Sequence, residues 1–150
     1  MISRDTLSQW LKGEELSFEE KTNEKSEWQL VADYGGLKLS IRKPLEKDFL
    51  VISRAIEVSE QHKILLQKLS SKEHQIFANQ LERDILFCGV QFQLRAKGDK
   101  NEKILDNAVF GRQFYGNENS RDSFFNNLFE IHRASLIFIF AFKILEAENG

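Results

Sequence analysis

The chain has one cysteine and one proline among its 150 residues. Cys88 cannot form an internal disulfide, and it cannot supply a thiolate cluster for zinc. The longest uninterrupted apolar run, residues 136–142, is far shorter than the ~20 residues that a membrane-spanning helix needs. No charged and then apolar leader segment opens the chain. We therefore predict a cytoplasmic protein that does not insert into membranes.

The sequence also lacks an excess of charge of either sign. It contains 21 Lys and Arg against 23 Asp and Glu, so the net charge is -2 and the pI is about 6.0. A nucleic-acid-binding protein would be expected to show a basic footprint. A phosphate backbone could be touched by Arg4, Lys12 and the row Lys38, Arg42 and Lys43, but a one-sided polar strand face explains the row better. We expect no nucleic-acid partner.

No motif for a cofactor, a metal or catalysis is present. Gly35-Gly36 stands alone and does not form a phosphate-binding glycine loop. His62, His74 and His132 lack partners at the helical spacing that builds a metal site. His132 shares a helix side with apolar residues, where it is either a histidine at the edge of the core or a base in a cleft. Cys88 is interpreted as an inert buried thiol, with a nucleophile as the alternative. We assign no catalytic, cofactor-binding or metal-binding residue.

The hydrophobic pattern predicts an α+β fold. Apolar residues at steps of three and four predict a long helix over residues 120–146, with its covered face at Phe125, Leu128, Phe129, Leu136, Ile139 and Phe140. Alternation with period two predicts strands over residues 28–34, 37–41, 49–58, 90–97 and 104–115, with a turn at residues 34–36 and a hairpin loop at residues 97–103. Ser3 and the Ser70–Glu73 pair are caps of further helices.

These elements follow the order α-β-β-β-α-β-β-α, with one or two helices in the middle position. Hairpin-length links favour a five-stranded, antiparallel-rich sheet packed against helices. No linker or repeat divides the chain, so we predict one α+β domain over residues 1–150.

The order of elements resembles the fold of type III secretion chaperones. Four segments resemble an uncharacterised archaeal family assigned to that fold: Glu60-Gln61-His62, residues 65–68, residues 69–73, and residues 110–116, which lead into the last helix. The resemblance covers nearly the whole chain. It implies a homodimer that holds segments of partner proteins against its sheet, and it brings no catalytic motif.

The long helix has more apolar surface than one neighbour can cover. Its outer face is polar before Arg133 and becomes apolar afterwards, at Ala134, Ile137, Phe138 and Ala141. Either the first helix covers this face, or a second chain or client does, or residues 136–142 form a sixth strand. Of these residues, Ile137, Phe138 and Ala141 are the predicted protein-binding set.

We therefore predict a non-enzymatic, chaperone-like or adaptor module that binds another polypeptide, as a homodimer. The alternative is a small ligand-binding domain or enzyme with a cleft near His132 or Cys88. The client, the ligand and the pathway do not follow from the sequence.

Overall fold

The computed structural model describes residues 1–99 and 103–149. The helices are α1 (Arg4–Gly13), α2 (Glu60–Lys68), α3 (Ser71–Leu86) and α4 (Arg121–Asn149). The strands are β1 (Phe18–Lys21), β2 (Ser26–Tyr34), β3 (Leu37–Pro44), β4 (Leu50–Glu57), β5 (Gln91–Lys97) and β6 (Ile104–Phe114). The α+β prediction is confirmed, and two helices occupy the middle position.

Within these described ranges the strands form one open sheet in the order β1-β2-β3-β4-β6-β5. The first four strands pair antiparallel, with Leu30 opposite Ile41 and Ile41 opposite Ile52. The sheet has six strands rather than the predicted five. The additional strand, β1, carries three exposed charged residues in a row after Phe18, so it shows no alternation that would predict a strand.

The predicted hairpin turn joins β2 to β3. Gly35 and Gly36 have φ angles of 62° and 81°, in the left-handed region that glycine adopts without steric cost. Two successive residues of this kind define the turn whose twist matches antiparallel strands. The predicted hairpin loop over residues 97–103 includes residues 100–102, which lie outside the described residues.

Two compact units make up the chain. The first consists of residues 1–54 and 111–132, and the second consists of residues 55–110 and 133–150. β4, β6 and α4 each contribute to both units. In the first unit Phe124 of α4 packs against Phe114 of β6, and in the second unit Phe138 of α4 packs against Phe110 of β6. One domain over residues 1–150 stays a prediction.

The helix caps follow the sequence. The Ser3 side chain accepts a hydrogen bond from the N–H of Thr6 at the start of α1. Ser70 and Glu73 form the reciprocal capping box of α3. Each cap satisfies backbone donors that would otherwise lack a partner.

The last helix is confirmed as helix throughout residues 136–142, so the sixth-strand alternative for this segment is wrong. Its buried stripe differs from the predicted face, because Phe129 and Phe140 are 55% and 48% exposed. The buried positions recur at steps of three and four: Phe124, Leu128, Ile131, Ala134, Ser135, Phe138, Phe142 and Leu145. Most of the helix is apolar, and this let the sequence pattern fit two neighbouring faces.

Candidate protein-binding groove

The second unit presents exposed apolar side chains on α3. The capping box fixes the start of this helix, and Leu81 and Ile85 are its buried residues. Ile76 lies beside the partly buried Phe77 and is 59% exposed. An isoleucine this exposed is a candidate contact residue when other apolar groups lie near it.

The C-terminal part of α4 presents a matching surface. Phe138, Phe142 and Leu145 are buried, Ala141 is partly exposed, and Ile144 is 59% exposed. Phe142 contacts Phe77 and Phe138, each with ring centroids 5.2 Å apart. This aromatic packing holds α4 against α3.

His62 of α2 completes this aromatic cluster. Its ring stacks on Phe142 with centroids 5.2 Å apart, and its Nε2 atom lies 3.2 Å from a Glu146 carboxylate oxygen. The carboxylate orients the ring, and the ring covers one face of Phe142. We therefore interpret His62 as a packing residue.

Between α3 and α4 lies an open groove of about 430 Å³, which we call the α3/α4 groove. Ala141 has no side chain beyond Cβ, so it leaves space between the larger residues. The groove is lined by Leu69, Glu73, Ile76, Phe77, Gln80, Leu81, Asp84, Ala141, Ile144, Leu145, Glu148 and Asn149.

The charged residues of this lining are all acidic. Glu73, Asp84 and Glu148 line the groove, and no Lys, Arg or His is among the described residues that do so. Hydrogen bonds from the side chain and the backbone N–H of Ser70 hold the pKa of Glu73 below its ordinary value. The groove therefore combines an apolar surface with negative charge at neutral pH.

The three predicted protein-binding residues have different environments. Ala141 lines the α3/α4 groove, and Ile137 is partly exposed. Phe138 is 1% exposed, because its ring packs against Phe110 and Phe142. The prediction that Phe138 lies on the surface is therefore corrected. A partner could reach Ile137 and Ala141, but not Phe138, in this structure.

Sequence reasoning missed Ile76 and Ile144 as surface residues. Both lie next to phenylalanines or leucines of the core, so their helical spacing resembles that of buried residues. The readable signal was the spacing on α3, where Glu73, Ile76, Phe77, Gln80 and Asp84 recur at steps of three and four. A helix face that mixes apolar and acidic residues is typical of a partly exposed surface rather than of a core, because Asp and Glu are rarely buried.

His132 belongs to the first unit and contacts a buried arginine. Its Nδ1 atom lies 3.0 Å from an Arg54 guanidinium nitrogen, so it accepts a hydrogen bond there as a neutral ring. Tyr34 packs edge-on against the ring with centroids 5.4 Å apart. Burial, together with the charge of Arg54, lowers the pKa of His132 below its ordinary value of 6.5.

Arg54 is 2% exposed, and it joins the hairpin turn to β4. Its guanidinium donates hydrogen bonds to the carbonyl oxygens of Tyr34, Leu37 and Lys38, at 2.7, 3.2 and 3.1 Å. Burial lowers the pKa of Arg54 to about 10, so the group is still charged at neutral pH. His132 therefore serves this structural cluster, and the prediction of a cleft near it gains no support.

Cys88 lies two residues after the end of α3 and is buried. Its backbone N–H donates to the Ile85 carbonyl oxygen, which closes the end of the helix. A buried thiol in this position fits the inert interpretation better than a nucleophile.

A more polar cavity of about 540 Å³ lies in the first unit. Lys43, which is buried, and Glu27 form an ion pair of 3.0 Å within its lining, and Trp28 lies beside them. The charges of Lys43 and Glu27 are therefore already paired with each other. The cavity therefore offers less to a ligand than its size suggests.

Asp106 is the centre of an ion cluster in the second unit. Lys63 and Lys97 lie 2.9 and 3.3 Å from its carboxylate oxygens, and the Asn107 amide donates a hydrogen bond of 2.9 Å. Lys63, with the other donors, lowers the pKa of Asp106 to about 2. This arrangement neutralises a buried carboxylate, which is a structural role.

The described part of the chain lacks two kinds of feature. Within residues 1–99 and 103–149, no group of three His, Cys, Asp or Glu side chains could hold a metal ion. Over the same residues, no helix has both the length and the apolar character that crossing a membrane requires.

The open antiparallel sheet with its helices defines the chain as an α+β protein. Residues 3–142 match the family described as "Uncharacterized conserved protein (DUF2299)", and the chain belongs to that family. No curated protein matches the sequence.

Two solved structures are similar to this chain. A crystal structure of an uncharacterized protein from Methanothermobacter thermautotrophicus has a TM-score of 0.85 at 22% identity, over 99% of this chain and 100% of that one. YbjN from E. coli has a TM-score of 0.46 at 15% identity, over 98% of this chain and 92% of that one. The methanogen structure shows that a natural protein adopts this fold.

Proposed function

We propose that the protein is a non-enzymatic, chaperone-like or adaptor module that binds an apolar segment of another polypeptide in the α3/α4 groove. The observation that supports it best is the pair Ile76 and Ile144, each 59% exposed and both lining the same groove. Fully burying an isoleucine is worth ~1.5–3 kcal/mol, so covering two half-exposed ones favours binding by a few kcal/mol.

Two further parts of the proposal, the chaperone-like fold and the cytoplasmic location, rest on the sequence. Apart from the additional strand β1, the order of elements is the one that resembles type III secretion chaperones, and this supports a fold in which partner segments are held without chemistry. The single cysteine supports a cytoplasmic location, where disulfides are rare.

A homodimer belongs to the same proposal. The side of α4 that carries Phe140 is apolar and partly open, and the Lys143 ammonium lies 5.2 Å from the Phe140 ring centroid. A second copy that covers Phe140 would remove its ring from water.

A peptide library panned against the purified protein tests the function. We expect enriched peptides to contain clustered large apolar residues and to bind an Ile144→Asp variant at least about tenfold more weakly, because the carboxylate would be desolvated in the groove. Ile64→Asp is the matched control, since Ile64 is 53% exposed on α2 and does not line the groove. Peptides that bind the Ile144→Asp variant as well as the unaltered protein would contradict the proposal.

A further inference from the structure

We infer that the occupant of the α3/α4 groove is an amphipathic helix whose apolar face is flanked by Lys or Arg. This inference rests on the proposed function and adds the chemistry of the partner. It follows from the helical geometry of the two walls and from the charge of the lining.

Both walls of the groove are stripes of a helix. On α3 the lining residues recur at steps of three and four from Glu73 to Asp84, a rise of about 16 Å. On α4 they recur in the same way from Ala141 to Glu148, a rise of about 10 Å. Two helical walls form ridges and grooves that a third helix can match. Apolar anchors at steps of three and four along that helix would reach Ile76, Ala141 and Ile144.

The charges select the partner. Glu73, Asp84 and Glu148 form no ion pair with the described residues. A symmetric contact between two such grooves would bring acidic residues together, which disfavours a second copy as the occupant. An anionic membrane surface is disfavoured for the same reason. A helix with cationic side chains beside its apolar face satisfies both features.

Two synthetic peptides of about four helical turns test the inference. Both place leucine at steps of three and four, and they differ only in flanking residues, which are Lys in one and Glu in the other. Fluorescence anisotropy of labelled peptides should show the Lys peptide binding at least about tenfold more tightly at low salt. The difference should shrink at about 0.5 M NaCl, where exposed charges are screened.

A charge reversal on the protein provides the decisive comparison. The double variant Asp84→Lys with Glu148→Lys should bind the Glu peptide more tightly than the Lys peptide. The matched control is Glu82→Lys with Glu118→Lys, two exposed residues outside the lining, which should keep the original preference. Circular dichroism of each variant checks that it is folded.

The remaining outcomes separate this inference from the proposed function. Equal binding of both peptides, lost in the Ile144→Asp variant, would overturn the basic partner and leave an apolar polypeptide site. Binding of neither peptide would overturn the amphipathic helix, while the library experiment still decides the function. Light scattering that shows a dimer broken by Ile76→Asp, on the α3 wall of the groove, would assign the groove to a second copy and overturn the inference.

Discussion

At the scale of single residues, the buried Arg54 connects β4 to the β2–β3 turn and to His132 of α4. One guanidinium serves three carbonyl oxygens around the β2–β3 turn and the ring of His132. Only arginine has a planar array of donors that can reach four acceptors at once. The sequence contained a signal for this role, because Leu50, Ile52 and Arg54 occupy the same face of β4.

Replacing Arg54 by methionine should lower the free energy of unfolding by about 3 kcal/mol or more, since three carbonyls lose a donor. Arg54→Lys should lower the free energy of unfolding by less than Arg54→Met does, because an ammonium group keeps the charge but reaches fewer acceptors. Urea denaturation measures both. Arg42→Met is the control, and it should change stability by about 0.5 kcal/mol or less because this side chain lies on the partly exposed face of β3.

Gly35 and Gly36 allow a matched test of the close approach at this cluster. Both have positive φ, so alanine at either position costs about 1 kcal/mol in backbone strain. A Cβ at Gly35 would also overlap the His132 ring, whereas a Cβ at Gly36 meets nothing within 4 Å. Gly35→Ala should therefore be more destabilising than Gly36→Ala by about 1–3 kcal/mol.

Thermal or urea unfolding of the two glycine variants measures that difference. If the cause is the overlap with His132, the double variant Gly35→Ala with His132→Ala should lose most of the additional destabilisation that Gly35→Ala shows over Gly36→Ala. Equal destabilisation by the two alanine substitutions would show that the His132 ring moves aside at no cost in stability.

The lowered pKa of His132 makes stability depend on pH. The folded protein binds this proton less readily than the unfolded chain, so the free energy of unfolding should fall as pH drops below 6.5, the ordinary pKa, towards the lower folded value. His132→Gln keeps an acceptor for Arg54 and cannot titrate. Unfolding at about pH 7.5 and about pH 5 should show a smaller loss for this variant than for the unaltered protein. Identical losses would assign the pH dependence to other groups.

At the scale of elements, α4 shows both the reach and the limit of sequence reasoning. Its existence and extent followed from its apolar spacing, as did the strands β2 to β6. Its buried face did not, because apolar residues surround most of the helix and spacing alone fits more than one stripe. Contacts with Phe110 and Phe114 of β6 select the stripe, and such pairings between distant segments are not visible in one sequence.

The two faces of α4 predict different responses to truncation. Phe138→Ala should lower the free energy of unfolding by about 3–5 kcal/mol, because the ring is buried among aromatic neighbours. Phe140→Ala, in the same helix, should cost about 1 kcal/mol or less, because the ring is about half exposed already. Comparable losses by denaturant unfolding would contradict the assignment of the faces.

Neither β1 nor the α3/α4 groove could be predicted from local sequence patterns. β1 pairs with β2 through backbone hydrogen bonds, with Phe18 opposite Ala32, and its charged side chains provide no apolar alternation. The α3/α4 groove exists because Phe77 of α3 packs against Phe142 of α4, a residue far from it in the sequence. The sequence-based prediction placed Ala141 and Phe138 on one exposed face. Ala141 lines the groove, whereas Phe138 is buried against Phe110, a contact that the sequence does not reveal.

At the scale of the whole molecule, the proposed homodimer makes a direct prediction of mass. Light scattering after gel filtration should give twice the 17.5 kDa of one chain. Phe140→Asp should halve that mass, because a carboxylate would be buried at the contact. Ile64→Asp, at an exposed residue of α2, should leave it unchanged. A mass of 17.5 kDa for the unaltered protein would remove the dimer from the proposal.

The two edge strands of the sheet carry charged side chains that oppose pairing with a further strand. β1 is at one edge, where Glu19, Glu20 and Lys21 are exposed, and β5 is at the other, where Arg95 and Lys97 are exposed. An edge strand offers unpaired N–H and C=O groups, and charged side chains along it oppose addition of a neighbour. Charged edges of this kind oppose the growth of fibrils by strand addition, even though the proposed binding groove leaves apolar side chains exposed.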